Sequence, residues 1–201
     1  MKLYYLPAAC SLTCHIALEW TKSSYEIENI GPKLKSEEYE KINPMMNVPC
    51  LVDGDFVLTQ NVAILKYLDD KFPAANLFAS SDIKDKARVM KWLAFCNSDL
   101  HTAFSPLFAP QKFLSTENSV QELKNTAITR IKNLLKTVNN ELQGKEFLAG
   151  KKSVADAYLF VILGWCKALQ LDISEYSNLS AFVARMAEDE AVKTALSQEG
   201  L

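Results

Sequence analysis

The period of the hydrophobic pattern changes once along this chain, near residue 75, and that change limits what it can fold into. Before it, extended runs alternate with helical ones. Lys2–Leu6 is strand-like, and Pro7 closes the run because proline has no backbone N–H to give a ladder. Helical spacing follows at Leu12, Ile16 and Leu18. Tyr25–Ile30 is extended again, and the polar stretch Gly31–Lys41 comes after it. Val48–Val52 and Phe56–Leu58 read as antiparallel strands joined through Asp53-Gly54-Asp55, since an Asp-Gly pair suits a tight hairpin. Gln60–Lys71 is helical, with Val62, Leu65, Leu68 and Phe72 on one face. The order β-α-β-α-β-β-α predicts a mixed sheet covered by helices. Pro73–Ser81, rich in Pro, Asn and Ser, reads as a linker. Beyond it the strand signal vanishes, and helices are expected over Ile83–Phe104, Ser119–Leu142, Val154–Gln170 and Leu179–Ser197. Two domains follow, residues 1–76 with a mixed sheet and residues 83–201 all-helical.

The totals narrow the function classes. A chain of 201 residues suits one large or two small domains. Net charge is −2, with no basic stripe interleaved with aromatics, so a nucleic-acid partner is not expected. The N-terminus runs straight into a strand without a signal-peptide pattern. The most apolar stretch, Ala157–Cys166, is too short for a bilayer, so no membrane association and a cytoplasmic location are expected. The five cysteines are odd in number and scattered, which fits a reducing compartment better than a disulfide framework. Cys10 and Cys14 stand four apart, not at Cys-x-x-Cys spacing. With His15 they lack a second ligand cluster, so no metal is expected.

Chemistry concentrates at a few positions. Cys10 falls where the first strand hands over to the first helix. Unpaired N–H groups and the helix dipole there favour negative charge, so the thiol is expected to lean towards thiolate. The plainer reading is a small, half-buried apolar residue. Pro49 opens an apolar strand, where its missing donor needs an explanation. A cis Val48–Pro49 bond would expose the Val48 backbone at the sheet edge, with an ordinary trans proline as the alternative. Ser153-x-x-Asp156 is a capping box at the head of the apolar helix and is read as a folding element. Trp20, Trp92 and Trp165 read as core or interface aromatics.

Together these features resemble the bacterial beta class of glutathione transferases over essentially the whole chain. The resemblance rests on Lys2-Leu3-Tyr4-Tyr5 through Cys10-Ser11-Leu12, on Asn43-Pro44 with Val48-Pro49, and on Leu58 to Ile64. In the second half it rests on Leu100 to Phe108 and on Ser153 to Phe160. It implies a thioredoxin-like first domain with a four-stranded mixed sheet that holds glutathione, then an all-α domain, in a homodimer. Cys10 would lie beside the glutathione sulfur and be able to form a mixed disulfide with it. The main chain of Val48, before Pro49, would pair with the tripeptide's cysteinyl backbone. His101 would reach across the cleft towards the sulfur, where a neutral imidazole would accept the thiol proton or a protonated one would stabilise the thiolate. The plainer reading of His101 is a polar side chain satisfied within the domain interface.

The chain departs from the family at Thr59-Gln60-Asn61, where an acid followed by a small residue is usual. Gln60 keeps an acceptor without the charge, and Asn61 can bind the γ-glutamyl carboxylate or cap the helix. The polar stretch retains Lys33 and Lys35, either of which could bind the glycyl carboxylate, and Lys35 is the one carried forward as a site residue. Thr102 stands where a lysine usually follows the histidine, and Tyr5 is read as structural. Phe104, Pro106, Leu107, Phe108 and Phe113 form an apolar loop suited to a small hydrophobic electrophile. The expected activity is activation of the glutathione thiol for attack on such compounds, with Cys10 and His101 catalytic. Glutathione-dependent thiol–disulfide exchange or peroxide reduction is the alternative, as is a non-catalytic ligand-binding protein.

Overall fold

Leu3 lies opposite Leu51, and Tyr4 opposite Cys50, and this register sets the first half of the molecule. The computed structural model describes residues 1–114 and 116–201. Strand β1 (Lys2–Tyr5) runs parallel to β2 (Glu26–Asn29) and antiparallel to β3 (Cys50–Asp53), and β4 (Phe56–Thr59) forms the far antiparallel edge. Gly54 takes the positive φ of +66° that the β3–β4 turn requires. The sheet is therefore mixed and four-stranded, as the alternating pattern predicts. β3 begins at Cys50 rather than Val48, because Pro49 has no donor to offer the ladder.

Helix α1 (Leu12–Thr21) is buried from Leu12 to Leu18, because the sheet lies on one side and the helical half on the other. Helix α2 (Glu37–Ile42) is short and capped by Ser36, whose hydroxyl accepts from the Tyr39 N–H. Helix α3 (Asn61–Lys71) buries Ile64, Leu65 and Leu68. The linker is tied to both halves: the Phe78 N–H donates to Asp69, and the Leu77 carbonyl accepts from the Val154 N–H.

The second half is helical, with two departures from the expected boundaries. The run over Ile83–Phe104 is α4 (Ile83–Ala94), then a π-helical segment (Phe95–Leu100), then α5 (His101–Phe108). A 3.6-residue period cannot show the wider turn, and the supposed Phe104–Phe108 loop is helix. After α6 (Glu117–Glu141) and α7 (Val154–Ala168), the last expected helix is two, α8 (Ser177–Ala187) and α9 (Glu190–Glu199). Asp189 makes the break, its carboxylate accepting from the N–H groups of Ala191 and Val192 to start a new helix. Both pieces bury apolar residues, so the hydrophobic pattern runs through the junction unbroken. Helix α7 is almost wholly buried and forms the spine of the second half. Among the described residues no helix is long and apolar enough to cross a membrane.

Candidate active site

Three loops, the π-helical segment and helices α3, α5 and α7 meet at a cleft of about 150 Å³ between the two halves. It is lined by Cys10, Asn47, Val48, Pro49, Gln60, Asn61, Asn97, His101 and Tyr158. The Val48–Pro49 peptide is cis. The loop that presents Val48 is braced from beneath, since the buried Asn43 amide and the Tyr39 hydroxyl both donate to the Asn47 carbonyl. The Cys10 thiol donates to the Val48 carbonyl at 3.5 Å, so strand edge and sulfur face one another.

The expected bias of Cys10 towards thiolate is not realised. Ser11, not Cys10, sits at the N-cap of α1, and burial pushes the Cys10 thiol up to about 11. The Asn61 amide and the N–H groups of Cys10 and Ser11 pull the other way, but removal from water outweighs them. Near neutral pH the free chain therefore holds Cys10 as a thiol, its proton directed at Val48.

The turn that carries Cys10 is clamped from two sides. Ala8 adopts a positive φ of +58°, its carbonyl accepts from the Trp165 indole N–H at 2.8 Å, and its own N–H donates to Glu199 Oε2 at 3.1 Å. Glu199 is buried, and its other oxygen meets His15 Nδ1 at 2.9 Å, while His15 Nε2 meets Gln198. His15, weighed above only as a metal ligand, thus ties α1 to the C-terminal helix. Replacing Glu199 with glutamine removes the charge and one of these acceptors. It is expected to cost about 1–2 kcal/mol in urea unfolding, and a loss within error of zero would count against the clamp.

His101 lies half-buried at the head of α5, its Nδ1 2.7 Å from the Tyr158 hydroxyl and its ring 4.7 Å from that of Trp165. Burial lowers its pKa below the usual histidine range, so the ring is neutral at pH 7. Asn61 does not cap α3. Its Oδ1 accepts from the buried Cys14 thiol at 3.0 Å, and its Nδ2 donates to Tyr158 at 3.4 Å. Gln60 makes no side-chain cap either. It stands exposed at the cleft with a φ of +74°, a strained geometry for a residue other than glycine.

Several expected site residues lie elsewhere. Lys35 is exposed between the Gly31–Lys33 turn and α2 and does not line this cleft. Lys33 is engaged with Glu28 and Glu38. Phe104 is fully buried, stacked behind Phe108 and against Trp165, so it supports an apolar wall rather than forming its surface. Phe108 and Phe113 are about half exposed, at 49% and 53%, and Pro106 and Leu107 are partly buried. Thr102 is exposed and returns its hydroxyl to the Ser98 carbonyl. Ser153 and Asp156, read as a folding element, do form the capping box at α7: the carboxylate accepts from the N–H groups of Ser153 and Leu148.

Sequence reasoning missed Asn47, Asn97 and Tyr158. Asn97 precedes His101 by one helical turn, and Tyr158 lies on the apolar helix two residues after Asp156. Those spacings were the available signals. Among the described residues no three His, Cys, Asp or Glu side chains are grouped to hold a metal ion.

Residues 1–70 match the glutathione S-transferase N-terminal domain family, and residues 95–190 match its C-terminal domain family. The chain is 40% identical over its full length to the full length of glutathione S-transferase GST-4.5 of Xanthomonas campestris pv. campestris. It also superposes on the bacterial beta class glutathione S-transferase of Sphingomonas chungbukensis with a TM-score of 0.89 at 38% identity, all of each chain being covered. The same coverage, identity and TM-score hold for a sphingomonad glutathione S-transferase solved in complex with glutathione.

Proposed function

The chain belongs to the glutathione S-transferase family, and from that premise we propose that it activates the glutathione thiol for attack on small hydrophobic electrophiles. Glutathione is its co-substrate. The observation that carries the reading is the convergence of Cys10, the Val48 edge and a neutral His101 on one cleft. Val48 would pair with the cysteinyl backbone of glutathione as an added strand, which sets the incoming sulfur beside Cys10. His101 would take the thiol proton, and the thiolate would attack the electrophile with departure of its leaving group. Residues 1–76 hold glutathione in this reading, and residues 83–201 supply the electrophile wall at Phe108, Leu107, Pro106 and Phe113, backed by Phe104. Gln60 and Asn61 would receive the γ-glutamyl end, and Lys35 the glycyl carboxylate.

A second chemistry is favoured by the position of Cys10 itself, whose sulfur and not only His101 faces the cleft. Cys10 would attack glutathione disulfide, forming a mixed disulfide and releasing one glutathione thiol. Incubation with glutathione disulfide followed by intact mass tests both the site and this chemistry. Wild type should gain one glutathionyl group, and Cys10→Ala none. An adduct that survives in Cys10→Ala removes Cys10 from its role. No adduct together with no retention on immobilised glutathione would sink the transferase reading in favour of a ligand-binding protein.

A homodimer belongs to the same proposal. Strand β4 is an open edge with Phe56 and Val57 exposed at 45% and 42%, apolar surface that a second copy would cover. Sedimentation equilibrium should return twice the chain mass, and a monomer at micromolar concentration would refute it.

A further inference from the structure

We propose that Tyr158 and Asn97 set the tautomer of His101, making Nδ1 the protonated nitrogen and leaving the lone pair on Nε2. The inference follows from counting donors around one hydroxyl. The Tyr158 oxygen has three neighbours: His101 Nδ1 at 2.7 Å, Asn97 Oδ1 at 3.2 Å and Asn61 Nδ2 at 3.4 Å. A hydroxyl has one proton to give and two lone pairs to receive with.

The orientation of Asn61 is set from behind. Burial holds Cys14 as a thiol, and its S–H points at Asn61 Oδ1 at 3.0 Å, which turns the Asn61 amide nitrogen towards Tyr158 as a donor. The Tyr158 proton goes to Asn97 Oδ1. One lone pair then remains for His101, which must donate from Nδ1–H. The ring is neutral, so Nε2 is left without a proton and able to accept one.

Local structure makes this arrangement possible. The π-helical segment Phe95–Leu100 closes with the His101 N–H donating to the Cys96 carbonyl, five residues back. Asn97 and His101 so bracket a single hydroxyl that rises from α7. Trp165, one side on the His101 ring and its N–H on Ala8, holds the imidazole plane in place. Tyr158 and Asn97 act here through His101 and are positioning residues.

The inference deepens the proposed glutathione chemistry and rests on it for its purpose, but its test does not. Long-range ¹H–¹⁵N spectra of the free, full-length protein at pH 8 read the tautomer, with His101→Gln separating its signals from those of His15. Wild type should show Nδ1–H. Tyr158→Phe and Asn97→Leu should both shift His101 towards Nε2–H. Asn97→Asp, whose carboxylate can only accept, should retain Nδ1–H. In the transfer assay Asn97→Leu should lower kcat/KM on the order of tenfold. An Nε2–H signal in wild type overturns the proposal, whether or not any variant folds. Retention of Nδ1–H in both Tyr158→Phe and Asn97→Leu overturns it as well. A protein that shows the expected tautomers but transfers no glutathione would sink the functional reading and leave this one standing.

Discussion

Replacing Asp156 with alanine is expected to lower stability by about 3–4 kcal/mol near neutral pH. The carboxylate is fully buried at the head of α7. Its Oδ1 accepts from the Leu148 N–H, and its Oδ2 from the Ser153 N–H and hydroxyl, each at 2.9 Å. Removal strands two buried N–H donors, each costing about 1–3 kcal/mol, and deletes a helix cap worth about 1 kcal/mol. Relief from holding a buried charge offsets part of that loss. The same burial raises the Asp156 pKa from 3.8 to about 6.

The sign of the pH effect follows from that rise. The folded chain holds the proton more tightly than the unfolded one. The part of this group's contribution that depends on the proton is therefore fully present below pH 3.8 and is lost as pH rises through about 6, which leaves the hydrogen-bonded part that acts near neutral pH. Its span is about 3 kcal/mol. The gap between wild type and Asp156→Ala should thus widen on going from pH 7.5 to 5. Urea unfolding at both values measures it, and a gap that stays constant or narrows would contradict the assignment.

Exchange of His101 for glutamine is expected to lower kcat/KM on the order of 10²-fold, near the low end of what a positioned general base contributes. Glutamine is close in size and can keep a hydrogen bond to Tyr158, but it accepts no proton at neutral pH. Glutathione affinity should change little, because binding rests in this reading on the Val48 edge and the α3 terminus. Burial lowers the His101 pKa below 6.5, so the wild-type kcat/KM should fall only in acid, below pH 6.5. The variant should lack that acid limb. Rates with an activated aryl halide across pH 5–8 test both statements, and a loss below about threefold would remove His101 from the base role.

Much of the architecture was legible because it is written in local repeats. Alternation and the Asp53-Gly54 turn yield the β3–β4 hairpin, and three- and four-residue steps yield α4, α6 and α7. The capping box at Ser153 and Asp156 needs only a fixed spacing along one helix. Failures fall where local repeats are silent. The π turn before His101 changes the period for too few residues to be read, and Asp189 divides α8 from α9 without Gly or Pro to mark the break. Phe104 was placed on a ligand wall because its neighbours are aromatic. Packing against Trp165 and Phe108 puts it in the core instead.

The sequence by itself determined the alternation of strands and helices in the first half and the cysteine at a strand-to-helix junction. Each of these depends on residues within a few positions of one another. Only the tertiary structure decided the protonation of Cys10 and the partners of His101. Cys10 meets a carbonyl 38 residues away, and His101 meets a hydroxyl 57 residues away that also receives an amide 97 residues off. Desolvation depends on what surrounds a group in space, so burial overrode the helix terminus that the local pattern offered to Cys10.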